Sequence, residues 1–349
     1  MSKVAILTDQ HFGFKRQSTI FHDYFLKFYN DVFFPFLEEN NISTVIDLGD
    51  TFDSRKTLDL TTIDWAKRNY YDRLEALNCQ VHTIVGNHTT YYRNTNRINT
   101  PELLLNQYPN IQTYSGATEI QLNDLSVLLI PWINQENEKD TLKLIENTKA
   151  TVAMGHLELN GFYVNRGTQM EGGKDPDVFS KFKKVFTGHF HTRSDNGTIY
   201  YIGNPYEMFF SDVGDPRGFI IFDTDTLKHS YVNNPNHLFD YVYYEDTDID
   251  SFDFESYSGK VIKVIIRKKS DINLFDEFIS NFYRVGVSDL KIIENYSVSE
   301  DSEEFDADLE SEDTFSLIQR FVEESDVNLN KDKLKLVLSE LHKEACELI

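Results

Sequence analysis

The sequence predicts an α/β fold built on central β-sheets, followed by a small α+β unit and C-terminal helices. Three observations carry this expectation. Short apolar runs of strand length recur through the first half of the chain, and segments with helical spacing separate the first of them. Past Asp223 the pattern changes to one basic strand followed by one amphipathic helix.

The strand-like runs are VAIL (4–7), TVIDL (44–48), VHTIV (81–85), SVLLI (126–130), TVAM (151–154) and KVFT (184–187). Between the first three, Ile20, Tyr24, Phe25, Phe28, Val32 and Phe36 recur at three- and four-residue steps, as do Ile63, Ala66, Tyr70, Leu74 and Leu77. These spacings predict helices over 20–37 and 60–77. Further on, GKVIKVIIRKK (259–269) reads as a basic strand and LFDEFISNFYRVG (274–286) as a helix ending near Gly286. The run SEDSEEFDADLESED (299–313) carries nine carboxylates without periodicity and reads as a solvated linker. Two amphipathic segments follow, one presenting Phe315, Ile318, Phe321 and Val322. The other presents Leu334, Val337, Leu338, Leu341, Ala345 and Leu348 near a/d spacing. The expected organisation is a main domain at 1–235, a small domain at 236–297, a linker at 298–313 and a helical segment at 314–349.

Composition bounds the function. With 27 Phe and 19 Tyr in 349 residues there is ample material for a core. No apolar run approaches the roughly 20 residues of a membrane span, and MSKVAILTDQ turns polar too soon for a signal or transit peptide. Cys79 and Cys346 are the only cysteines, so a reduced, cytoplasmic protein with both thiols as packing residues is expected. A net charge of −23 argues against a generic nucleic-acid binder. An anionic substrate must then be held by local positive charge, such as bound metal.

The ends of the apolar runs are the informative places. They lead into Thr8-Asp9-Gln10-His11, Gly49-Asp50-Thr51-Phe52-Asp53, Gly86-Asn87-His88, Gly155-His156 and Gly188-His189-Phe190-His191. Ligand sites of α/β sheets lie outside the carboxyl ends of their strands, so five clusters can converge on one rim. Mixed carboxylate, amide and imidazole groups suit borderline divalent ions such as Mn²⁺, Fe²⁺ or Zn²⁺. Two such ions about 3.5–4 Å apart clamp the attacking and leaving oxygens of a displacement at phosphorus. Asp50, in a tight Gly-Asp turn, is the candidate bridge. His22, His82, His229, His237 and His342 belong to no such pattern and read as surface or packing residues.

These motifs resemble those of the calcineurin-like metallophosphoesterase superfamily: D-x-H, G-D, G-N-H, G-H and G-H-x-H. GDTFDSRK (49–56), HTIVGNH (82–88), GHLELNGFY (155–163), GHFHT (188–192) and DPRGFIIFD (215–223) look like the SbcD/Mre-type nuclease subunits within it, closest to the recombination endonuclease subunits of T-even-like phages. The resemblance implies a sandwich of two mixed β-sheets flanked by helices, with a small capping domain. It implies one metal held by Asp9, His11, Asp50 and His191 and a second held by Asp50, Asn87, His156 and His189, most simply Mn²⁺ with Mg²⁺ as the alternative. His88 would act beside the scissile phosphate, stabilising negative charge or protonating the leaving oxygen, and Asp53 would support it. Thr89 departs from the pattern, because the family usually follows G-N-H with an acid that orients its neighbours.

Three substrate readings compete: a DNA nuclease, a phosphomonoesterase or protein phosphatase, and a DNA-end-binding subunit with weak catalysis. In TTYYRNTNR, Tyr91, Tyr92, Arg93 and Arg97 combine aromatic and guanidinium groups in a manner suited to DNA. The basic strand adds Lys260, Lys263, Arg267, Lys268 and Lys269 as candidate phosphate contacts. The resemblance implies double-strand exonuclease and single-strand endonuclease action in recombination, replication and break repair. It also implies an SMC-like, SbcC-type ATPase partner docked on the C-terminal helices. A homodimer through the nuclease domain, at helix 20–37, is expected as well. The location implied is the cytoplasm, that of the host for a phage-encoded chain.

Overall fold

The six apolar runs form the strands Lys3–Leu7, Thr44–Asp47, Gln80–Ile84, Leu125–Ile130, Val152–His156 and Lys184–Gly188. They belong to two mixed six-stranded sheets in a computed structural model that describes residues 3–294. Across the first sheet the order is His229–Asn233, Gly218–Asp223, Lys3–Leu7, Thr44–Asp47, Gln80–Ile84 and Ile111–Tyr114. Across the second it is Ser194–Asp195, Ile199–Tyr201, Lys184–Gly188, Val152–His156, Leu125–Ile130 and Thr118–Leu122. The chain is an α/β sandwich of two mixed sheets flanked by helices. The acidic run at 299–313 and the amphipathic segments after it lie outside the described residues.

Period-two alternation explains the layering. Val4, Ile6, Ile46 and Ile84 of the first sheet meet Val127, Leu129, Val152, Met154 and Phe186 of the second in one core. The alternate residues Ala5, Leu7, Val45 and Val81 face a helical layer rich in Phe and Tyr. On the far side, Leu128, Ile130, Ala153 and Val185 pack beneath Phe179, Phe182 and Ile145. The strand Gly218–Asp223 pairs antiparallel with Lys3–Leu7, joining positions more than 200 residues apart. Such pairing leaves no local signal, and sequence periodicity did not place this strand.

Helix 20–37 is observed as Thr19–Phe28 and Phe34–Glu39 joined by a π-helical turn, Tyr29–Phe33. Pro35, which has no N–H to donate, stands two residues beyond the end of that turn. The apolar stripe of this helix is consumed inside the chain: Tyr24, Phe25 and Phe28 are core, and Ile20, Val32 and Phe36 pack against it. Within 20–37, Asp23, Lys27, Asn30 and Asp31 are exposed and Ile20, Leu26, Val32 and Phe36 half-buried.

The sandwich's last strand ends at Asn233, and a separate three-stranded parallel sheet begins at Phe239. Its strands are Phe239–Glu245, Val261–Lys268 and Asp289–Ile293. Helix Ile272–Val285 connects the last two, started by Asp271, whose carboxylate accepts the Asn273 N–H at 2.8 Å, and ended by Gly286 at φ 78°. Phe275, Phe278 and Phe282 seal it against Val242, Ile262 and Val264.

The inter-sheet core is the element on which the site's rim depends. Phe186 is fully buried there and meets the Phe222 ring edge-on at 5.1 Å. Phe186→Ala is expected to lower unfolding stability by about 3–5 kcal/mol in urea titrations. Lys27→Ala, on the exposed helix face, should change it by less than about 0.5 kcal/mol.

Candidate metal centre

The three adjacent parallel strands of the first sheet deliver Asp9 and His11, then Asp50 and Asp53, then Asn87 and His88 to one rim. Two adjacent parallel strands of the second sheet, Val152–His156 and Lys184–Gly188, deliver His156, His189 and His191 to the same place. The site therefore lies between the carboxyl ends of both sheets. Reaching it requires abrupt turns. Asp9, His11, Asp50 and His189 all adopt left-handed backbone, at φ 50°, 47°, 51° and 87°, each at a cost of about 1–2 kcal/mol. Gly86 and Gly188 have no room for a Cβ, which would collide with the Asp50 carboxylate and the Thr8 hydroxyl respectively.

Hydrogen bonds across the loops hold these turns. Asp9 N–H donates to Gly49 O at 3.0 Å and His11 N–H to Asp50 O at 2.9 Å. His189 N–H donates to Asp9 Oδ2 at 2.9 Å, tying the second sheet to the first. His88 N–H donates to Asp50 Oδ1 at 2.7 Å, and Thr89 bonds Gly86 through its hydroxyl at 3.0 and 3.1 Å. Thr89 thus secures the G-N-H turn by hydrogen bonding rather than by charge.

Ligand-capable atoms gather in three groups, each within 4.8 Å: Asp9, His11 and His191; Asp50, His156 and His189; and His11, Asp53 and His88. His11 belongs to two of them because its ring has two ends. Nδ1 bonds the Asp53 carboxylate at 3.0 Å, while Nε2 lies 3.1 Å from His191 Nε2 and 3.8 Å from Asp9 Oδ1. In the second group Asn87 Oδ1 lies 2.9 Å from both His156 Nε2 and His189 Nδ1, and Asp50 Oδ2 lies 3.1 Å from His156 Nε2.

These approaches have the spacing of coordination as well as of hydrogen bonding. Asp9 Oδ1 is buried without a partner. The Asn87 amide lies 3.1 Å from Asp50 Oδ2, where its nitrogen would donate a hydrogen bond and its oxygen would serve as a metal ligand. Donors about 2.1 Å from a divalent ion and at right angles to one another lie about 3.0 Å apart. The residues present fit divalent cations. Orienting partners complete the arrangement: Asp53 on His11, the Leu48 carbonyl on His156 Nδ1 at 2.8 Å, and Glu158 on His189 Nε2 at 3.3 Å.

Glu158 is a residue that sequence reasoning missed, although it stands two positions after His156 within a motif already singled out. Asp47 is another. It is buried behind the site, where it accepts from Thr51 Oγ1 at 2.6 Å, Gln10 Nε2 at 3.0 Å and Gly49 N at 3.1 Å. Burial pushes its carboxyl up to about 7 against those bonds.

The other candidates are scattered. Tyr91 and Tyr92 are exposed, their rings edge-on at 4.7 Å. Arg97 is ion-paired with Glu136. Lys263 is buried with its ammonium 4.1 Å above the Phe210 ring, and Arg267 pairs with Glu245 at 3.1 Å while stacking on Tyr243. Lys260, Lys268 and Lys269 pair with Asp240, Asp246 and Glu294.

The cluster's electrostatics set a competition between protons and metal. Burial opposes a charge on His156, but the Asp50 carboxylate outweighs it and raises the imidazole to about 9. Asp50 is correspondingly held well below the usual carboxylate range, against its burial. A histidine pKa raised by folding gives the metal-free protein stability that is full below pH 6.5 and lost as pH rises through about 9. A metal at His156 must displace that proton. Apparent Mn²⁺ affinity is expected to rise about tenfold per pH unit between pH 7 and 9, read by calorimetric titration, and occupancy should fall below roughly pH 6. A flat profile would remove His156 from the ligand set.

Comparison with known proteins places the chain. The model of the calcineurin-like phosphoesterase family matches residues 2–193. The chain is 35% identical over 270 residues to "Exonuclease subunit 1" of Enterobacteria phage T4, covering 76% of this chain and 78% of that protein. Among solved structures, it is similar to a novel archaeal phosphodiesterase at 14% identity and TM-score 0.35, covering 66% of this chain and 99% of that one. It is also similar to the purple acid phosphatase PPD1 from yellow lupin (Lupinus luteus) seeds at 14% identity and TM-score 0.33, covering 55% and 38% respectively. With a family match over more than half of its length and one relative aligned across three quarters of it, the chain belongs to the calcineurin-like metallophosphoesterases.

Proposed function

We propose that the chain is the nuclease subunit of a DNA-processing complex, a two-metal phosphodiesterase acting as an exonuclease on duplex ends and an endonuclease on single strands. The observation that carries this is the set of buried lone pairs facing one another across about 3 Å at the ends of both sheets. The phage T4 relative is named an exonuclease subunit, which supports DNA as substrate and a second subunit as partner. In this reading the partner is an SMC-like ATPase and the setting is recombination, replication and break repair in the cytoplasm, that of the host for a phage-encoded chain. The amphipathic segments at 314–349 would dock on the partner, and a homodimer would form through the nuclease domain at helix 20–37.

Asp9, His11 and His191 would hold one ion, Asn87, His156 and His189 the other, with Asp50 between them. Divalent ions, Mn²⁺ in this reading, would supply Lewis-acid activation of water and neutralise charge on the phosphoryl group. Asp53 acts twice: its carboxylate fixes the His11 ring, and its carbonyl accepts His88 Nδ1–H at 2.8 Å. That bond leaves His88 Nε2 to face the substrate. Burial lowers the His88 pKa, with Asp50 working the other way. His88 is therefore neutral at rest and becomes an acid only after taking a proton at Nε2, a cation that the Asp53 carbonyl stabilises. Cys79 takes no part: it is buried, and burial pushes its thiol up to about 11. Among the described residues no helix is long and apolar enough to cross a membrane.

The test is incubation of the purified chain with single-stranded DNA, duplex DNA and p-nitrophenyl phosphate, each with Mn²⁺, Mg²⁺ or chelator. DNA cleavage in Mn²⁺ that chelator abolishes is expected, whereas preference for the monoester would make the protein a phosphatase. His88→Ala should keep its metal content, by elemental analysis, and lose about 10²–10⁴ in rate. Loss of metal instead would make His88 a ligand. Truncation after residue 298 should spare cleavage of short substrates and abolish capture of the ATPase subunit.

A further inference from the structure

Arg217 is a charged side chain with almost no surface: it is 3% exposed. Its guanidinium is divided between two tasks. Nη2 donates to Asp212 Oδ1 at 2.7 Å and to Asp215 Oδ2 at 3.3 Å. Nη1 donates to the Asn204 side-chain oxygen and to the backbone carbonyl of His191. A buried guanidinium is tolerated only where its partners are in place, and these partners are themselves fixed. Asp212 accepts the Met208 and Phe209 N–H groups at 2.7 and 3.0 Å, and the Arg217 carbonyl accepts the Asn234 N–H at 2.9 Å.

The His191 carbonyl is where this network meets the metal cluster. Asn204 N–H also donates to it, at 3.2 Å, and Gly203 passes so close that a Cβ there would stand 2.8 Å from it. Asp215 reaches the following residue, its Oδ2 accepting from the Thr192 hydroxyl at 3.4 Å. The rings of the other histidines are oriented from behind: His11 by Asp53, His156 by the Leu48 carbonyl and His189 by Glu158. The His191 ring differs. Among the described residues its one polar approach is to His11 Nε2, inside the cluster. Its aim therefore depends on the backbone that carries it.

We propose that Arg217 is the positioning residue of the subsite formed by Asp9, His11 and His191: by clamping the His191 carbonyl it sets the direction of that imidazole. This rests on the two-metal reading above. An ion cluster that only stabilised the fold would affect both subsites alike. A clamp on one carbonyl acts locally, because His189 is held separately, by its N–H on Asp9 Oδ2 and its ring on Glu158. The subsite of Asn87, His156 and His189 is thus independent of Arg217.

The experiment titrates the full chain with Mn²⁺ calorimetrically and records its electron paramagnetic resonance spectrum, in which neighbouring ions couple and a lone ion gives a sextet. The wild-type chain should take up two ions. Arg217→Lys keeps a charge beside Asp212 and Asp215, but its single nitrogen cannot also span to His191. It should weaken one ion by about tenfold to hundredfold and leave the other within about twofold, with the sextet replacing the coupled spectrum. Asp215→Asn, which loosens the fork without removing it, should weaken the same ion by about threefold, and decides the matter if Arg217→Lys does not fold. A folded variant that loses neither ion, or both equally, overturns the proposal while leaving the two-metal reading intact. A wild-type chain that binds fewer than two ions overturns both.

Discussion

Lone pairs forced to face one another are the constraint from which the rest of this structure follows. Asp9 Oδ1 has no partner, His11 and His191 point ring nitrogens at each other at 3.1 Å, and the Asn87 amide lies 3.1 Å from Asp50 Oδ2. Burying an acceptor without a donor costs about 1–3 kcal/mol, and Asp9 Oδ1 is such an acceptor. Protons offset part of this without metal, which is why Asp50 raises His156 to about 9. A pocket that draws in protons in this way is suited to divalent cations.

The backbone bears the same load. Four residues of the cluster are left-handed without being glycine, and all four sit just past strand ends. Their conformations persist because the flanking strands are fixed by a core sealed on both faces, and because each turn is bonded to its neighbour. The His189 N–H to Asp9 Oδ2 bond is the seam between the sheets. Moving one sheet relative to the other would separate the two halves of the site, so sandwich packing and metal geometry are one problem.

Much of this was legible in the sequence because the informative features are local. Apolar runs ending in Asp, Asn or His gave the strands, and their parallel order brought five motifs to one rim. The helix stop at Gly286 and the start of the basic strand were equally local. What escaped depended on partners distant in sequence. The strand Gly218–Asp223 is defined by Lys3–Leu7, and Glu158 by His189 across the sheet. The cations of the basic strand illustrate the converse. A sequence shows their charge but not their pairing. In the folded chain Lys260, Arg267, Lys268 and Lys269 each face a carboxylate, and Lys263 turns inward over Phe210.

That pairing bears on how an acidic protein approaches a polyanion. At physiological salt a charge is screened beyond about 8 Å, so the carboxylates of the distant surface contribute little at the site itself. What a phosphate meets on arrival is decided within that radius. There the carboxylates of Asp9, Asp50 and Asp53 are turned toward imidazoles and backbone N–H groups, while Arg55 and Arg93 form no ion pair among the described residues. The acidic balance of the whole chain and an anion-accepting centre are therefore compatible. Attraction of an anion to the site therefore begins only at close range.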